Sequence, residues 1–455
     1  MSAAIAASAT ESPARATVQD VYRLGFEGVV RRREGREPRS LTALRAQAFE
    51  RFSHIGFPGK RDEEWRFTDI SPIARSGFRL GAETPSVSAE AIEKYRYSGT
   101  HELVFINGRF SAEHSQIEAL PEGVVVGSLA DALANTPERL EGHLARHAKF
   151  EIHPFVALNT ALFEDGALIR VPKGVIVDRP INIIHVGRPE GEAFACFPRH
   201  MLIAEESSQV TVVEQYGSVG EGAYLTCPVI EVSTEDNAVI DHYKLQREST
   251  DAFHVSTFQL HQLRDSNFSS HSISWGGGLV RNDVNAILAG EGCESTLNGL
   301  YMVEGSQLVD NHMRVEHKAA HCDSHELFKG ILEGRARAVF NGRIYVHKGA
   351  QKTDAKQTNR NLLLSPTALC NSHPQLEIFA DDVKCTHGST VGQLDETAVF
   401  YLRSRGIGEE AAKSLLTYAF AADIVGRIKV PEVRRDLEEF LFRRLPRGEV
   451  VRQAV

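Results

Sequence analysis

LNGLYMVEG (297–305) and FNGRIYVHKG (340–349) carry the reading of the architecture. Each opens on Asn-Gly and runs through alternating side chains to a closing Gly, as a strand with one buried face does. Around them, from about residue 151 onward, helical periodicity disappears. Short runs of Val, Ile, Phe, Thr and His alternate with turn clusters near Asp236, Asp251, Ser266, Gly278, Gly292 and Gly305, continuing to Gly349. Most of these clusters are 12 to 17 residues apart. A spacing of ~14–15 is one strand plus one turn, so two units make a coil of about 29 residues. Units this small bury nothing alone. Stacked, they bury a continuous column and pair each strand above and below. A β-solenoid, or parallel β-helix, fits over 151–392. On pattern alone an antiparallel sandwich of short strands competes with it.

The flanks read differently. Residues 14–150 are expected to be mainly helical. Ser40 is placed to cap a helix whose apolar face is Leu41, Leu44, Ala48 and Phe52, with Gly56 and Pro58 ending it. Thr136 before Pro137 is a second start signal, with Leu140 and Leu144 on one face. Between them, in KRDEEWRFTDI (60–70), Trp65 and Phe67 are expected to pin a loop to the core. Helices return over 393–455. Asp395 caps the first, and Gly406 closes it. Leu416, Phe420, Ile424 and Ile428 form a stripe on the second. Pro431 opens the third, with Val433, Leu437 and Leu441 on one face. This region would cap the open stack or serve as a docking module.

The 455 residues include 42% apolar and 24% charged side chains, ordinary for a globular protein. A net charge of −9 argues against nucleic-acid binding, which needs a basic face. No apolar run reaches ~18 residues, so no membrane span is expected. Six cysteines lie far apart without a C-x-x-C pair, which favours a reducing compartment. The start, MSAAIAASATESPARA, lacks the apolar core of a signal peptide. A loose tail over 1–13 and a cytoplasmic protein are the expectations.

Four enzyme signatures are absent: the phosphate-binding G-x-x-x-x-G-K-[ST], a dinucleotide fingerprint, G-x-S-x-G and H-E-x-x-H. Gly276–Gly278 reads as a strand break or bulge. His317, His321 and His325 are four apart, a spacing that shares a face on helix or strand. They suit either a metal or a polar ladder. KCTHGSTVGQLD (384–395) is sharper. Cys385 and His387 are two apart, so on a strand they point the same way. A thiol beside an imidazole suits soft or borderline metals, including iron–sulfur chemistry, but two ligands do not complete a site. A Cys-His nucleophilic dyad and a plain structural role are the rivals.

KCTHGSTVGQLDETAVFYLRSRGI (384–407), ALNTALFEDGALIRVPKGVIVDRPINIIHV (157–186) and DEEWRFTDI (62–70) resemble the SufD family, scaffold subunits of the SUF iron–sulfur cluster assembly complex. The likeness runs from about residue 40 to the end. It implies a mainly β chain: a right-handed parallel β-helix flanked by N- and C-terminal helical regions. It further implies a non-enzymatic scaffold that pairs with SufB through the β-helices and holds the ATPase SufC on its C-terminal helices, around Tyr401, Arg403, Arg405 and the 409–429 stripe. The nascent iron–sulfur cluster is then transient and shared with SufB. His387 matches the family's cluster-ligand histidine, and Cys385 matches a cysteine of less secure role. No tightly bound cofactor is expected, flavin binding by the complex stays open, and a homodimer of the isolated chain is possible. The alternatives are a carbohydrate-active, lyase-like β-helix enzyme and a His-rich metal store.

Overall fold

A strand's side chains alternate between two sides, so each run has one row for a core and one for whatever covers it. In the computed structural model, which describes residues 18–81 and 84–455, these runs stack as a parallel β-solenoid. The tail expected over 1–13 lies outside the described residues. One wall consists of Ala167–Val171, Arg199–Ala204, Val229–Thr234, Phe253–Gln262, Leu279–Leu288, Leu308–His317, Arg337–Val346 and Leu369–Ile378, in that order. The other runs from His101–Ile106 through Ile181–Gly187, Gln209–Ser218, Val239–Arg247, Asn267–Ser274, Glu294–Val303, Asp323–Leu332 and Asp354–Leu363 to Lys384–Gly392. From Ala167 onward, partners from coil to coil lie between 26 residues apart (Phe253 on Leu279) and 33 (Leu168 on Met201), bracketing the expected 29. Parallel pairing throughout the stack excludes the sandwich.

The two segments that revealed the repeat lie in opposite walls, within Glu294–Val303 and Arg337–Val346. Their likeness has a packing cause. Gly299 and Gly342 stand where a Cβ would come within 2.2 Å of the Phe328 ring and 2.3 Å of the Gln357 amide. Asn-Gly here leaves room for a large inward side chain and makes no turn.

The column is filled by Leu103, Ile169, Val212, Phe258, Phe328 and Phe340, among others. Its interior also holds paired polar groups. Glu214 meets His242 at 3.1 Å, and Lys244 donates to Ser256 (2.6 Å) and Asn282 (2.9 Å). Burial lowers the Lys244 pKa to about 8, with Glu214 and Glu248 opposing. Such groups persist in a core only when hydrogen-bonded.

Helices cover both outer faces. On the first wall, Tyr22, Phe52, Trp65 and Phe155 pack against Val255 and Leu279. On the second, Ile424, Val433, Leu437 and Leu441 pack against Tyr243, Ile273, Leu300 and Ile331. Trp275 stacks on Phe440 with centroids 4.0 Å apart. The C-terminal helices therefore line the flank of the column and do not cap its end.

Several local expectations need correction. Within 14–150 the reading missed strands, among them His101–Ile106, whose apolar Leu103–Ile106 run pairs parallel with Ile181–Gly187, and Val125–Ser128. Conversely, Pro154–Leu162 is a helix inside the zone read as strands. Eight of its residues are buried, so it carries no amphipathic stripe to detect. Pro38, not Ser40, precedes the helix Arg39–Ile55. After Thr136 only a short 3-10 turn forms, Pro137–Leu140. In Glu409–Val425 the buried row is Ser414, Thr417, Ala421 and Ile424, one step round from Leu416 and Phe420. Asp395 does cap Glu396–Arg403, accepting from Thr397 N at 2.8 Å, and Pro431 does open Pro431–Arg444. At Gly276 a Cβ would lie 2.1 Å from the Glu248 carbonyl oxygen, so the Gly run is a close backbone approach between strands.

Candidate functional site

A coil in the middle of a solenoid is covered on both sides, whereas a terminal coil is covered on one. The two ends of this column differ. At the N-terminal end the antiparallel strands Arg109–Phe110 and Val125–Ser128 close the stack, and Phe110 and Val126 join its core. At the other end Leu369–Ile378 and Lys384–Gly392 each pair on one side only, with Arg337–Val346 and Asp354–Leu363. Their outer edges carry unpaired backbone donors and acceptors.

Cys385 and His387 lie on that last strand. Register places Cys385 over Ala355, His387 over Gln357, Ser389 over Asn359 and Val391 over Asn361. The lower residues are inward-facing and buried because a coil covers them. Cys385 and His387 therefore share the inward face of the last coil. His387 is exposed only because nothing stacks above it.

Their surroundings differ. Cys385 packs beside Ile344, Val346, Ala350, Ala355 and Ala380. Burial pushes its thiol pKa up, the Ala355 backbone opposes this, and Asp354 adds to it. The thiol, not the thiolate that binds metals, is thus the resting form. Beside His387 the floor of the open coil is polar. Ser389 donates to Ser372 (2.8 Å), Ser372 to Asn359 Oδ1 (2.9 Å), and Asn359 Nδ2 to the Tyr301 hydroxyl (3.2 Å). The last coil also carries half-exposed apolar side chains: Ile378 and Val391, in register with buried Val346 and Asn361, together with Leu369 and Phe379.

Among the described residues, no group of three or more His, Cys, Asp or Glu is arranged to hold a metal ion. One imidazole and one thiol supply half a coordination shell at most. The histidines spaced four apart do not converge. His317 is buried, bonded to Ser324 at 2.9 Å; His321 lies in the following turn at φ 59°; His325 is on the next strand, facing out. The turn between the strands breaks the periodicity on which their common face depended.

Carboxylates on the outside of the first wall are held by internal partners. Asp283 and Asp310 are tied to the Arg281 guanidinium at 2.7 and 2.8 Å. DEEWRFTDI covers them. Trp65 lies 3.6 Å beneath Arg281, Thr68 bonds Asp310, and Glu64 reaches His312 at 3.0 Å. Phe67 stacks on His373 of the last coil. Both aromatics anchor the segment as expected, though Phe67 stays partly exposed.

At the C-terminal helices, Ile424 and Ile428 of the 409–429 stripe are spent on the column wall, with Phe420 partly buried beside them. The surface left open is Glu396–Arg403, with exposed Phe400 and Tyr401 and the Arg405 guanidinium 3.6 Å over the Tyr401 ring.

Two residues of the site escaped the sequence reading. Gln357 and Glu326 lie one and two coils below His387. Stepping back one coil period from His387 would have reached the first.

Comparison with known proteins places the chain in a family. Residues 187–420 match the family model for the SufBD core domain of SUF system FeS cluster assembly, and residues 26–183 match the SufBD N-terminal region. The chain is 32% identical over 415 residues to an iron–sulfur cluster assembly SufBD family protein of Synechocystis, covering 89% of this chain and 91% of that protein. It is 30% identical over 409 residues to the iron–sulfur cluster assembly protein SufD of Escherichia coli, covering 88% and 92%. With SufD of Bacillus subtilis the identity is 27% over 424 residues, covering 90% and 95%.

Proposed function

The chain belongs to the SufBD family of SUF iron–sulfur cluster assembly proteins, and on that premise we propose that it is a non-enzymatic scaffold supplying part of the site where a cluster is built. The observation that carries this is the asymmetry of the column. One end is closed, and the other presents two unpaired strand edges, an apolar rim and His387. The free edges and rim suit a second β-helix, a SufB-type subunit, which completes the coordination shell. The exposed helix Glu396–Arg403 is the surface offered to a SufC-type ATPase. The cluster is cargo. His387 holds it from this side, and Cys385 contributes only if pairing strips its proton. Ligands divided across a separable interface let the cluster leave when the interface moves.

The test is co-expression with SufB- and SufC-type subunits. His387→Ala leaves the column folded and both partners co-purifying, while cluster formed on the complex falls at least about tenfold, as for lost metal ligands and their supports. Full cluster yield in that variant, at unchanged complex assembly, removes the ligand assignment.

A further inference from the structure

The inward row ending in His387 continues down the column as Gln357, Glu326 and Leu297, each in register with the one above. Gln357 is 1% exposed. Its Nε2 donates to Glu326 Oε2 at 3.1 Å, and its Oε1 has no partner. The opposite wall makes room for this amide and supplies no donor. Gly342 faces it, and a Cβ there would lie 2.3 Å from Nε2 and 2.5 Å from Oε1. A buried amide oxygen without a donor is disfavoured. The next group up the row is the His387 imidazole, one strand spacing of about 4.8 Å away and free to rotate because no coil covers it.

We propose that Gln357, braced by Glu326, is the positioning residue for His387: its amide oxygen accepts one ring N–H and leaves the other ring nitrogen, with its lone pair, facing out of the open coil. The proposal rests on reading His387 as a ligand. A hydrogen-bond acceptor behind a ligating imidazole fixes its tautomer and orientation. Here the acceptor is a neutral amide. Burial raises the Glu326 pKa to about 8, with Gln357 opposing, so at neutral pH the row adds little negative charge behind the imidazole. A carboxylate in direct contact would make the ring a stronger donor. An amide orients it and keeps the grip weak, as suits cargo that must be released.

The experiment uses the full-length chain labelled with 15N-histidine, the His387 ring signals being identified by their loss in His387→Ala. In the wild type one tautomer of His387 dominates. Gln357→Met, close in volume and without an acceptor, shifts the tautomer ratio about fivefold, the effect of one ordinary neutral hydrogen bond. Gln357→Glu, which restores an acceptor, returns the ratio to the wild-type value or beyond it. Glu326→Gln, which keeps a neutral acceptor for the Gln357 amide, leaves it unchanged. The same His387 tautomer ratio in wild type and in a Gln357→Met chain of native melting behaviour overturns the proposal. A shifted ratio with full cluster yield on the co-expressed complex supports the positioning role and defeats the ligand reading instead.

Discussion

Single residues in this protein are governed by what stacks on them. Cys385 and His387 stand two apart on one strand, yet one lies against an apolar cluster and the other is open to solvent. Elsewhere the fully buried arginines are paired, Arg45 with Glu37 and Arg281 with Asp283 and Asp310. Arg199 and Glu231 are both fully enclosed, 2.5 Å apart, and Glu231 also accepts from the backbones of Ala145, His147 and Ala148. Glu231→Ala strands the Arg199 charge and frees the 145–148 loop. A loss of about 3–5 kcal/mol in denaturant unfolding is expected.

His312 makes a pH-dependent clasp on the same scale. Burial would lower its pKa, but Asp310 beside it, together with Glu64, raises it to about 9. A raised pKa stabilises the fold fully below the unfolded value of about 6.5, and the benefit fades as pH climbs through 9. Denaturant melts of wild type and His312→Gln should converge between pH 6.5 and 9.5, closing a gap on the order of 2–3 kcal/mol. A constant gap across that window would show that the imidazolium does not hold DEEWRFTDI down.

At the scale of elements, helices occupy both outer faces and leave the terminal coil bare. Trp275, stacked on Phe440 and 4% exposed, joins the second wall to Pro431–Arg444. Trp275→Ala should cost about 3–5 kcal/mol. Hydrogen exchange tells whether the loss is local: amides of 409–444 should exchange faster while those of Arg337–Val346 stay protected. Detached helices would move the exposed helix Glu396–Arg403, proposed above as the ATPase surface, relative to the open coil.

For the whole molecule, the column is a stiff bar with one finished and one unfinished end. Unpaired edges beside half-exposed Leu369 and Phe379 are an association hazard unless a partner covers them. Replacing both by Ser should leave the melting temperature of the isolated chain within a few degrees, since neither side chain is buried there. Association with a SufB-type subunit, measured by titration, should weaken at least about tenfold. Unchanged affinity would move the partner's footprint elsewhere on the column.

Features that depend on near neighbours were legible in the amino-acid order. The coil length follows from turn spacing, the caps at Asp395 and Pro431 from local hydrogen bonding, and the common face of Cys385 and His387 from strand alternation. Features that depend on what lies a coil or more away were not. The helix Pro154–Leu162 is buried all round and so lacks a stripe. The 409–429 helix buries Ala421, Ile424 and Val425 in a cluster with Leu300 and Ile331, partners distant along the chain. Whether His387 faces core or solvent is set by the absence of a coil above it, and Gln357 joins it only through stacking. Alternation assigns two faces to a strand. Only the packed column determines which face is inside, and where the inside ends.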